Sequence, residues 1–125
     1  MADSLALMVS SRGPDTMATA LDLLAAAAAM EMESHLYLTA AAVAWVGPAA
    51  DPERAPGWAT EEARAEVAKR LHDIKEDGCL TVYACTRAMA MHGIAPDRLC
   101  EGVDMPAGFA YFLNVASEAT VTLNL

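Results

Sequence analysis

Short apolar runs alternate with helix-length segments along this chain, and that alternation constrains the fold more than any other feature. "LALMVS", residues 5–10, is apolar without interruption and then meets turn residues. A strand of that kind is buried on both faces, as in a parallel sheet. "SRGPD" (11–15) is a loop by its Gly and Pro. Asp15 or Thr16 then caps a helix expected over 16–30, with Met17, Leu21, Leu24 and Ala28 at helical spacing. "SHLYLT" (34–39) is a second strand.

The segment "GPAADPERAPGWA" (47–59) holds three prolines and two glycines and reads as an irregular loop flanked by Trp45 and Trp58. These rings either pin the loop to the body or belong to a lid or subunit contact. Thr60 caps the next helix, "EEARAEVAKRLHDIKED". Glu61 and Glu62 sit at its positive end, and Ala63, Val67, Leu71 and Ile74 form its apolar stripe. Gly78 is expected as its C′ stop. "CLTVYA" (79–84) is a third strand, and "CTRAMAMHG" a short helix closed by Gly93. A very short fourth strand is expected near Val103. Asp104 and Pro106 are expected to open a last helix with Phe109, Phe112, Leu113 and Ala116 inward. In "TVTLNL", Val121, Leu123 and Leu125 alternate with polar residues as a final strand.

Strands that alternate with helices give an α/β fold: a three-layer αβα sandwich on a mostly parallel five-stranded sheet, flavodoxin-like or Rossmann-like. At 125 residues, with no repeat or linker, residues 1–125 are one domain. The net charge of −9 argues against nucleic acid and anionic membranes as partners. "MADSLALMVSS" lacks the basic start of a secretory signal, and no apolar stretch is long enough to span a bilayer, so a cytoplasmic location is expected. The three cysteines are then expected to be reduced.

Ligands of open parallel sheets bind beyond the carboxyl ends of the strands. Two segments reach that rim with suitable chemistry: "SSRGPDT" after the first strand and "CTR" after the third. Cys85 stands between a strand and a helix, where free helix N–H groups favour a thiolate. Thr86 can add a hydrogen bond, and Arg87 or Arg12 a positive charge. The plain alternative is a buried cysteine packing as a small hydrophobe. Cys79 begins the same strand, so about six residues at ~3.3 Å each place it ~20 Å away, beyond disulfide reach. Cys100 is either a second thiol near Cys85 or buried.

The series Cys79, Cys85, His92, Cys100 lacks the paired spacing of zinc sites, so no metal is expected. "SSRGPD" is neither a P-loop nor a dinucleotide fingerprint. Ser10, Ser11 and Thr16 leave room for a phosphate or flavin, but no cofactor is expected.

The chain resembles the DsrE/DsrF/DsrH-like (TusBCD-like) superfamily of small sulfur-relay proteins. The resemblance runs over nearly the whole chain and is carried by three segments. They are "SSRGPDTMATALDLLAAAAAM", "VYACTRAMAMHGI" and "GFAYFLNVASEATVTLNL". It implies a sulfurtransferase-like sulfur carrier in which Cys85 holds sulfane sulfur as a persulfide. Ser10, Ser11, Arg12, Gly13, Thr86 and Arg87 are then the candidate binding residues. It also implies homo-oligomers, trimers or hexamers, and a TusA-like or rhodanese-like partner. The alternatives are a non-catalytic ligand-binding or partner-binding subunit, or a flavin- or nucleotide-binding protein.

Overall fold

The computed structural model describes residues 3–47 and 57–125. Five strands form one sheet in the order β4-β3-β2-β1-β5, and every pairing is parallel. They are β1 (Ser4–Val9), β2 (Glu33–Leu38), β3 (Cys79–Cys85), β4 (Met105–Ala107) and β5 (Val121–Asn124). The helices are α1 (Pro14–Ala29), α2 (Glu61–Asp77), α3 (Thr86–Met91) and α4 (Phe109–Glu118). A 3₁₀ segment, Ala40–Trp45, follows β2. The expected α/β architecture is what forms.

Strand alternation divides the core into two layers. Tyr37 meets Phe109 and Phe112 of α4, with ring centroids 6.0 and 4.7 Å away. Its neighbours Leu36 and Leu38 therefore point to the opposite layer, where α1 and α2 pack together. Met17, Leu21 and Leu24 of α1 and Val67, Leu71 and Ile74 of α2 are buried, as their spacing predicts. Each such side chain contributes roughly 1.5–3 kcal/mol of transfer free energy.

The helix ends show what the sequence reading captured and where it fails. Thr60 caps α2, accepting from Ala63 N at 3.1 Å. α1 starts earlier than expected: Gly13 is its N-cap, at φ +117°, and Pro14 occupies the first turn in place of a side-chain cap. α2 does stop at Gly78, which is the C-cap residue rather than C′ and has an extended backbone, with φ −156°. Space is what it provides, since a Cβ there would meet Ala28 Cβ at 2.8 Å. Gly93 does close α3, at φ +67°, with Ile94 N bonded to Met89 O and Gly93 N to Ala90 O.

The fourth strand lies at Met105–Ala107, not at Val103, and Pro106 belongs to it. Proline is tolerated there because β4 is an edge strand. Asp104 opens no helix. Its carboxylate accepts from Val82 N at 2.7 Å and pairs with Lys75, tying the segment to β3. α4 therefore begins at Phe109, and of the four residues expected inward only Phe112 is fully buried. Phe109 and Leu113 are exposed, and Ala116 packs only partly against the core. β5 forms as expected, although Val121 remains exposed. Most of the 47–59 loop lies outside the described residues, and the Trp45 and Trp58 rings that flank it pack together at 5.0 Å.

Candidate functional site

Parallel pairing in register brings the ends of β2 and β3 side by side. Leu38 lies opposite Ala84, so Thr39, one residue on, comes alongside Cys85. Cys85 in turn lies opposite Ala107 of β4. The chain then turns into α3, with Cys85 as N-cap residue.

Cys85 lines a pocket of about 260 Å³. The walls include Thr39 and Ala40 after β2, Arg87, Met91 and His92 of the α3 segment, and Phe109 of α4. Cys85 is only 1% exposed. Burial pushes its thiol pKa up, but hydrogen bonds from Thr39, Tyr37 and the N–H groups of Ala88 and Arg87 outweigh burial. The thiol lies below its ordinary pKa. As a neutral thiol Cys85 makes no side-chain cap on α3. Once ionised, it is the acceptor that the free N–H groups of the first turn require.

Tyr37 has a single proton to give. Its hydroxyl donates to Ala107 O at 2.9 Å. To serve a thiolate, that proton must turn from the carbonyl to the sulfur. Burial first, and then the proximity of Cys85, hold the Tyr37 pKa far above its ordinary value, so the hydroxyl stays protonated and able to donate. Ala40, on the pocket wall, adopts φ +50°, a left-handed conformation that a residue with a Cβ rarely takes.

Arg87 lines this pocket, and Thr86 is exposed in the first turn of α3. Ser10, Ser11, Arg12 and Gly13 do not line it. They follow β1, two strands away, where Ser10 N and Ser11 N both donate to the Leu125 backbone oxygen at 2.9 and 3.2 Å. The Ser10 and Ser11 N–H groups are thus already engaged. Cys100 lines a different pocket, beside Trp45 and Arg64, and Cys79 sits exposed at the far end of β3.

Sequence reasoning missed Thr39, Tyr37, His92 and Phe109 as neighbours of the thiol. For Thr39 the signal was present: it ends the strand preceding β3, and consecutive parallel strands end on one rim. Phe109 arrives from α4 through tertiary packing alone.

The profile of the DsrE/DsrF-like family matches residues 3–124. The chain belongs to the DsrE/DsrF-like family. A solved structure described as a protein of unknown function, MTH1491 from Methanobacterium thermoautotrophicum, superposes with a TM-score of 0.74. At 12% identity it covers 98% of this chain and 99% of its own. It shares the fold. No curated protein matches the sequence of this DsrE/DsrF-like chain. Among its described residues, no helix is long and apolar enough to cross a membrane.

Proposed function

We propose that this DsrE/DsrF-like protein is a sulfur carrier that holds sulfane sulfur as a persulfide on Cys85. Family membership suggests sulfur relay in general terms. The observation that carries the specific reading is a cysteine in the wall of a pocket whose thiol pKa is lowered by the hydroxyls and first-turn N–H groups around it, the Tyr37 hydroxyl serving once it turns from Ala107 O. A merely structural cysteine needs no such donors.

The chemistry balances without an external oxidant. The Cys85 thiolate attacks the outer sulfur of a persulfide donor, R–S–S⁻. The new S–S bond forms as the old one breaks, and R–S⁻ leaves. The outer sulfur of Cys85–S–S⁻ then lies in the pocket. The thiolate of an acceptor protein, of TusA-like or rhodanese-like type, attacks that sulfur, and Cys85 departs as thiolate. Its lowered pKa makes it a good leaving group. Thr39, Tyr37 and the two N–H groups stabilise the anion before loading and after release. Ser10, Ser11, Arg12, Gly13 and Thr86 remain candidates for contacts with a bound partner rather than with the sulfur itself. The reading extends to a reduced, cytoplasmic protein that works as a homo-oligomer, a trimer or hexamer. The oligomer is supported by large apolar side chains exposed on α4, among them Phe109, Tyr111 and Leu113.

Incubation of the reduced protein with polysulfide, followed by intact mass analysis, tests the reading. One added sulfur atom is expected, removable by dithiothreitol, mapped to Cys85 and absent in Cys85→Ser. Failure to load with any of several sulfane donors overturns it and favours a binding subunit.

A further inference from the structure

Burying an N–H without an acceptor is costly, so unpartnered donors in a folded chain point to something that binds there. Among the described residues, two buried side-chain donors lack a partner, Trp45 Nε1 and Arg64 Nε. Both residues line the same pocket, of about 290 Å³. It is separate from the Cys85 pocket and shares no lining residue with it.

The rest of that pocket defines what fits. Trp45 is 3% exposed and packs on Trp58, which leaves its ring as an apolar wall. Ala65 and the Cys100 thiol extend the lining. Arg64 uses Nη1 to hold Gly47 O at 3.1 Å, which fixes the guanidinium while its Nε remains free. Arg98 adds a second guanidinium and Glu61 a carboxylate, so the charges of the described lining residues sum to one positive charge. Glu61, Arg64 and Ala65 belong to the start of α2, whose positive end favours an anion. A monoanion matches the charge, whereas a dianion is disfavoured beside Glu61. The volume exceeds that of an inorganic ion and leaves room for a short carbon chain.

We propose that this pocket binds a small organic carboxylate. Its oxygens accept from Trp45 and Arg64 and pair with Arg98, and its carbon chain lies against the Trp45 ring and Ala65. No covalent step is involved.

The chain has two tryptophans, so its nitrogen-15 spectrum carries two indole N–H signals, assigned with Trp58→Phe. Titration of the reduced full chain with sodium butyrate is expected to shift the Trp45 indole signal saturably in the millimolar range. Sodium chloride at equal ionic strength is expected to leave it in place. Arg98 is exposed, so Arg98→Ala keeps the fold; loss of its charge-assisted bond weakens butyrate binding about tenfold. A linear shift without saturation, an equal response to chloride, or unchanged affinity in Arg98→Ala overturns the proposal. Sulfur loading of Cys85 is a separate measurement, and either result can fail alone.

Discussion

Burial and hydrogen bonding pull the Cys85 thiol in opposite directions, and the hydrogen bonds prevail. Sign follows from that direction. A thiol whose pKa is lower folded than unfolded adds stability above its unfolded pKa, about 8.5. It loses that stability as pH falls through the lower folded value. Stability of the reduced protein is therefore expected to rise with pH across this window, and Cys85→Ser is expected to flatten the rise. Thiolate ultraviolet absorbance gives the direct check: Tyr37→Phe and Thr39→Ala should each move the Cys85 titration to higher pH. An unchanged titration in both variants refutes the assignment of these hydroxyls as donors. The thiol itself was legible from its place between a strand and a helix. The hydroxyls were not, because a donor thirty or more residues away in the chain becomes visible only through strand register.

At the level of elements, α1 and α3 end in the same way with different residues. Each closes with paired bonds, Met32 N to Ala27 O and Glu31 N to Ala28 O in α1, Ile94 N to Met89 O and Gly93 N to Ala90 O in α3. The left-handed position is Gly93 in one and Glu31, at φ +58°, in the other. A Cβ in that conformation costs roughly 1 kcal/mol. Glu31→Gly is therefore expected to stabilise the protein by up to about 1 kcal/mol, read as a raised denaturant midpoint with unchanged slope. A fall in the midpoint contradicts the account. The same pair explains which boundaries were legible. Gly93 announced its turn, whereas Glu31 gave no signal. Asp104 and Pro106 signalled a helix start because aspartate and proline favour one locally. The Val82 N–H and Lys75 claimed the carboxylate instead, and that contact links residues far apart in sequence.

Among the described residues, the large exposed apolar side chains are unevenly placed, with Met30 and Met91 singly at the ends of α1 and α3. Phe109, Tyr111 and Leu113 lie on α4, and Met105 and Val121 lie on the two edge strands. Those strands span only three and four residues, too short to favour edge-to-edge pairing. Association is therefore expected through the α4 layer. Phe109 belongs both to that layer and to the wall of the Cys85 pocket, so assembly there reaches the thiol site. Light scattering on the eluting protein is expected to give three or six times the chain mass. Leu113 is 67% exposed, so Leu113→Asp leaves the fold intact while placing a charge in the apolar contact. It is expected to yield smaller species. Met30 is 70% exposed but caps α1, in the other layer, and Met30→Asp is the matched control that should leave assembly unchanged. A wild-type monomer at all concentrations refutes assembly itself. Equal disruption by both substitutions refutes α4 as its surface.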